Sequence, residues 1–114
     1  MKDCIFCKII NNEIPSEKVY EDENILAFED INPKAPVHIL LIPKLHFASL
    51  NEIPEDKKGL IGDLLLAAKK IAAQKKIDKK GYRIVLNTGK ESGQEVSHVH
   101  FHLLGGRRMT WPPG

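Results

Sequence analysis

His98-Val99-His100-Phe101-His102-Leu103-Leu104 places three of the chain's five histidines at alternate positions. Extended backbone has a side-chain period of two, so a strand here projects all three imidazoles from one face. Val99, Phe101 and Leu103 project from the other, which reads as a face turned to the core. Imidazole titrates nearest neutrality of all side chains, so it serves as nucleophile, acid or base without drastic tuning. A strand spaces such rings at about 6–7 Å, which suits one nucleophile flanked by two groups that hold charge or a metal. The plainer alternative is a partly exposed polar strand face.

Upstream, Gly81-Tyr82-Arg83-Ile84-Val85-Leu86-Asn87 reads as the preceding strand, and Thr88-Gly89-Lys90-Glu91-Ser92-Gly93-Gln94 as the loop between them. Two glycines let backbone N–H groups approach an anion, or simply make a flexible connection. Val37-His38-Ile39-Leu40-Leu41-Ile42-Pro43 is nearly continuous hydrophobe, expected to be a central strand buried on both faces, with His38, Leu40 and Ile42 sharing one of them. His38 is its one ionisable residue and needs a partner if buried. Lys18 to Glu21 and Ile25 to Glu29 read as a hairpin turning on Asp22-Glu23-Asn24. A long helix is predicted from Pro54 to Ile77, with Glu55 and Asp56 at the positive end of its dipole and Ile61, Leu64, Leu65, Ala68, Ile71 and Ala72 as its apolar stripe. Lys69, Lys70, Lys75 and Lys76 read as its solvated side. Cys4 to Ile10 is a short helix stopped by Asn11-Asn12 and Pro15. The order is short helix, three strands, long helix, two strands. That predicts one α+β domain over residues 1–114, a five-stranded, mostly antiparallel sheet with its helices on one side.

Composition bounds the function. With 114 residues, 42% hydrophobic and 28% charged, the chain is an ordinary globular domain. A net charge of +2 argues against a nucleic-acid partner, which calls for a denser basic face. No apolar run approaches a membrane span, and Met1-Lys2-Asp3-Cys4 does not open an export signal, so the expected location is the cytoplasm. Two cysteines in a reducing compartment are not expected to form a structural disulfide.

Several motifs, in order and spacing, resemble the histidine triad superfamily over nearly the whole chain. His98 to Leu104 is similar to its H-φ-H-φ-H-φ-φ signature, where φ is hydrophobic. Phe28-Glu29-Asp30-Ile31-Asn32-Pro33 with Pro36 to Leu40 resembles its first nucleotide-binding segment, and Gly81 to Asn87 with Gly93-Gln94 its phosphate loop. The ending Gly105-Gly106-Arg107 to Trp111-Pro112-Pro113-Gly114 resembles the Hint branch. The resemblance implies a homodimer with a joined ten-stranded sheet, a purine nucleotide site on each subunit, and hydrolysis of nucleoside phosphoramidates such as adenosine 5′-monophosphoramidate, or of aminoacyl-adenylates. It makes His100 the nucleophile, transiently nucleotidylated, with His102 and His38 lining the phosphate. It places Asn87, Gly93, Gln94 and Val96 around the phosphate oxygens and Asp30 on the ribose hydroxyls. Phe6, Ile9, Phe28, Ile31 and Leu40 become apolar walls around the base, and Trp111 a tail residue reaching the partner subunit's site. Plain core packing is the alternative for these apolar residues. The chain departs from the pattern at Glu95, where several Hint proteins carry a serine near the leaving group; no catalytic role is assigned to it.

With His38, His100 and His102 placed in this way, His46 and His98 remain. Together with Cys4-x-x-Cys7 they would complete a closed Cys2His2 zinc site, as the resemblance to some bacterial-type members suggests. Such zinc is structural and not required for the chemistry; the alternative is two buried thiols in an apolar turn. Three other functions fit less of the chain: dinucleoside polyphosphate hydrolysis, a zinc hydrolase ligated by His98, His100 and His102, and a non-catalytic nucleotide-binding protein.

Overall fold

The computed structural model describes residues 3–114; Met1 and Lys2, on which part of the export-signal expectation rests, lie outside the described residues. The elements are α1 (Ile5–Ile10), β1 (Lys18–Glu21), β2 (Ile25–Glu29), β3 (Val37–Pro43), α2 (Lys58–Gln74), β4 (Tyr82–Leu86) and β5 (Phe101–Gly105). Single 3-10 turns sit at Leu50–Glu52, Glu55–Lys57 and Lys90–Ser92. One five-stranded sheet runs in the order β1-β2-β3-β5-β4, and every neighbouring pair is antiparallel. The α+β class, the five strands and the two helices are those expected.

The hairpin forms as its turn residues dictate. Asp22 closes it by accepting from the backbone N–H groups of Asn24 and Ile25 at 2.8 and 2.9 Å. β3 is buried along all but its first residue, because both faces of the sheet are covered. Alternation sends Ile39 and Leu41, with Ile25, Ala27, Phe101 and Leu103, towards α2. Leu40 and Ile42, with Leu26 and Phe28, turn the other way to meet Cys4, Phe6, Cys7 and Ile9 of the α1 region. The two helices therefore lie on opposite faces, not on one. An almost unbroken apolar strand signals two covers but does not say which helix supplies each.

The long helix is shorter than Pro54 to Ile77 at both ends. Pro54 stays extended (ψ 154°), and its carbonyl accepts from Lys57 N–H, winding a tight 3-10 turn before α2 begins. At the other end Lys76 takes φ 61°, while Ile77 N–H bonds Ala72 O and Lys76 N–H bonds Ala73 O. That is a Schellman closure made without glycine, and it throws Ile77 back into the core beside Ala72. The buried stripe is Leu64, Ala67, Ala68, Ile71 and Ala72. Leu65, expected on that stripe, is 41% exposed, because it sits one residue, roughly 100° of helix, away from Leu64. Gly105 is fixed by packing: a Cβ there would come within 2.5 Å of Ile77 Cδ1.

The histidine stretch enters the ladder only at Phe101. Leu41 pairs with Phe101, and two residues further, where the register would bring Val99, stands Pro43, which has no N–H to donate. Val99 N–H bonds Phe47 O instead, at 2.8 Å. His98 to His100 is thus irregular rather than the predicted strand, but the inside–outside alternation survives. Val99, Phe101 and Leu103 are buried in the core.

Candidate nucleotide and metal sites

Where β3 stops, the three histidines part company. The His98 ring is fully buried, and its Nε2 lies 2.8 Å from Pro43 O. A carbonyl only accepts, so the proton of the neutral ring is on Nε2 and Nδ1 is a bare lone pair. That lone pair faces Cys4 Sγ at 3.3 Å, Cys7 Sγ at 3.6 Å and His46 Nδ1 at 3.1 Å. Cys7 Sγ lies 3.4 Å from His46 Nδ1. A zinc tetrahedron with Zn–S about 2.3 Å and Zn–N about 2.0 Å has N···N edges of about 3.3 Å and S···N edges of about 3.5 Å. The observed separations match those edges. The four residues predicted from the sequence fit zinc, and α1 helps to shape the site: Cys4 is its N-cap, its Sγ accepting from Cys7 N–H. Burial holds His98 near a pKa of about 4, with the Pro43 hydrogen bond opposing.

His100 is tied the other way. Its Nδ1 lies 2.8 Å from the carbonyl of His98, so in the neutral ring Nδ1 carries the proton and Nε2 is the free lone pair. Phe6 packs edge-on against both rings, its centroid 5.9 Å from His98 and 5.1 Å from His100. His98, His100 and His102 therefore do not converge on one metal, which removes the zinc hydrolase ligated by all three.

His38 and His102 form a directed pair. Lys34 N–H donates to His38 Nδ1 at 3.0 Å, which places the His38 proton on Nε2. That proton points at His102 Nδ1, 2.9 Å away, leaving His102 with an N–H at Nε2. Asp30 Oδ2 stands 3.4 Å from His38 Nε2, while its Oδ1 accepts from Asn32 N–H. Asp30, His38 and His102 are close enough to suggest a second metal cluster. The proton on His38 Nε2 fills that space instead, so the geometry is that of a hydrogen-bond relay.

These groups meet in a cavity of about 300 Å³. Its lining combines apolar Phe6, Ile9, Phe28, Ile31, Leu40 and Val96 with polar Asp30, Asn87, His100 and His102, and with Gly93. Ile31 is 89% exposed, so it forms a lip and not a buried wall. His38 lines an adjoining opening with Lys34 and His102. Two expected residues stand outside the cavity. Gln94 holds its own loop together, its Nε2 donating to Ala48 O and Val96 O and its Oε1 accepting from Gly89 N–H. Trp111 is 80% exposed, under the Arg83 guanidinium of β4. Ile5, Ile14, Pro15, Ser16, Glu29 and Glu95 also line the cavity. Of these, Pro15 reads in the sequence only as part of a helix stop, and Ile14 carries no signal at all.

Burial lowers the pKa of His38 and takes that of His102 down to about 4, with the neighbouring His100 and His38 adding to the fall at His102. An unfolded chain takes up these protons as the pH drops through about 6.5, whereas the folded His102 resists until about 4. Their contribution to stability is therefore complete above that window and is lost progressively within it. The thermal midpoint, followed by circular dichroism from pH 7.5 to 4.5, is expected to fall, and to fall less steeply in His102→Gln.

Comparisons with known proteins agree with this geometry. A model of the HIT domain matches residues 11–109. The fold superposes on the crystal structure of a HIT family hydrolase from Legionella pneumophila Philadelphia 1 with a TM-score of 0.96 and 53% identity, covering 98% of this chain and 100% of that one. An uncharacterized HIT-like protein of Synechococcus elongatus is 55% identical over 113 residues, 99% of this chain and 98% of the relative. A 14 kDa zinc-binding protein of Brassica juncea is 52% identical over 114 residues, 98% of this chain and 100% of the relative. A chain matched across nearly its full length in sequence and backbone, with its histidines arranged as above, belongs to the HIT domain family.

Proposed function

We propose that this chain hydrolyses the P–N bond of purine nucleoside 5′-phosphoramidates, or the mixed anhydride of aminoacyl-adenylates, through a nucleotidyl-histidine formed on His100. One observation carries the reading. The His98 carbonyl holds His100 Nδ1–H, so the Nε2 lone pair is left free on a residue that lines a cavity of mixed apolar and polar walls. The apolar walls suit a base, and Asp30 in the same lining can accept from ribose hydroxyls. The His100 Nε2 lone pair then bonds to phosphorus, the P–N bond breaks with its electron pair going to nitrogen, and that nitrogen takes a proton from solvent water and leaves as an amine. Water attacks next, the bond between phosphorus and Nε2 breaks, and the nucleoside monophosphate departs. The Nε2–H of His102, aimed by the relay from Lys34 through His38, is a fixed donor for charge developing on the phosphoryl oxygens.

In His100→Ala, kcat/KM for adenosine 5′-phosphoramidate is expected to drop by about three orders of magnitude or more, while calorimetry still registers AMP binding. Wild-type turnover of a diadenosine polyphosphate at a comparable rate would favour the polyphosphate reading instead.

We assign Cys4, Cys7, His46 and His98 to a structural zinc. Zinc there supplies a cross-link between α1 and the approach to β5. About one zinc per chain is expected by atomic absorption. Cys7→Ser is expected to lose the metal and to lower the thermal midpoint by several degrees.

We further assign the β4 edge to a second copy of the chain. Its five residues are all half-buried, no strand among the described residues pairs with its outer side, and exposed Leu66 of α2 lines a groove with Tyr82 beside it. Pairing there would join two sheets into one of ten strands and carry Trp111 towards the partner subunit. Sedimentation equilibrium is expected to give twice the chain mass for the wild type and a shift towards the single-chain mass for Leu66→Asp.

A further inference from the structure

Glu95 is the one described residue that lines three openings: the nucleotide cavity, the adjoining opening beside His38 and Lys34, and a third over Cys4 and Ile5. It is exposed and makes no hydrogen bond or ion pair with any described residue. Its place is nonetheless fixed from both sides. The Gln94 side chain locks the preceding residue to Ala48 and Gly89, and Val96 packs on the apolar cluster around Phe6 and Phe28.

His100 is 5% exposed and forms the floor of the cavity. Displacement at phosphorus runs in line, so the departing group lies opposite the attacking nitrogen. The departing group therefore extends away from the buried His100 towards the exposed part of the lining, to which Glu95 belongs. A carboxylate at that point faces an anionic phosphoryl group, and like charges repel. A positive charge on the departing amine turns the same carboxylate into an attraction, and no described cation already neutralises it. We propose that Glu95 is a specificity residue that favours phosphoramidates whose departing amine bears a second, cationic nitrogen, as in a diamine or a basic amino acid. This deepens the phosphoramidase reading above and rests on it.

Two nearly isosteric substrates test it: the adenosine 5′-phosphoramidates of 1,4-diaminobutane and of n-pentylamine. The wild type is expected to favour the cationic one by about tenfold in kcat/KM, a preference that salt weakens. In Glu95→Gln the ratio is expected to fall to about one, and in Glu95→Lys to invert. An unchanged ratio in Glu95→Gln overturns the proposal while leaving the hydrolase intact. Calorimetric binding of the same two compounds to His100→Ala, with and without the added Glu95→Gln change, separates the two ideas. If the wild type turns over neither compound, a binding preference that Glu95→Gln abolishes still supports selection by Glu95, and only the phosphoramidase reading falls. Equal binding of the two compounds by His100→Ala, unaltered when Glu95→Gln is added, overturns the selection itself.

Discussion

The hydrogen bond between the His98 ring and the Pro43 carbonyl sets the chemistry of both sites. It fixes the tautomer of His98, aims Nδ1 at the two thiols, and leaves the backbone carbonyl of His98 to hold His100. One residue thus turns its side chain to the candidate zinc cluster and its main chain to the His100 ring. The arrangement follows from a plain covalent fact. Proline has no N–H, the ladder between β3 and β5 cannot extend past it, and the freed carbonyl is taken by the imidazole.

The same logic governs His38 and His102. Burying two imidazoles side by side is costly unless every ring nitrogen finds a role. The Lys34 N–H starts a chain of donors that runs in one direction and ends on the side of His102 that faces the cavity. Neutral rings are needed for it, because a protonated His102 would carry an N–H on Nδ1, facing the N–H of His38 Nε2, and the run of donors would break. The low pKa that burial imposes on His102 is therefore a condition of the relay.

Much of this could be read from the residues. β2 and β3 followed from their apolar runs, the hairpin from Asp22-Glu23-Asn24, and the histidine alternation from a period of two. Cys4, Cys7, His46 and His98 were nameable as one cluster, although only the fold shows that their ligand atoms meet. The boundaries of α2 were not legible. Its tight first turn depends on Pro54 staying extended, and its end depends on a lysine occupying a conformation usually left to glycine. Leu65 failed as a core residue because one position of helix rotation separates inside from outside. The part played by Gln94 was hidden for a different reason. An amide can bind a ligand or brace a loop, and only the positions of Ala48, Gly89 and Val96 decide between them.

The sheet divides the molecule into two compartments. Its α2 side holds an apolar layer of aliphatic residues with Phe101, and its α1 side holds the cavity and both histidine sites. Side chains at successive strand positions answer to different demands, so a sequence can drift on one surface without disturbing the other. New ligand preferences can accumulate around the cavity while the aliphatic layer keeps the scaffold standing, which gives a small fold room to diversify without a loss of foldability.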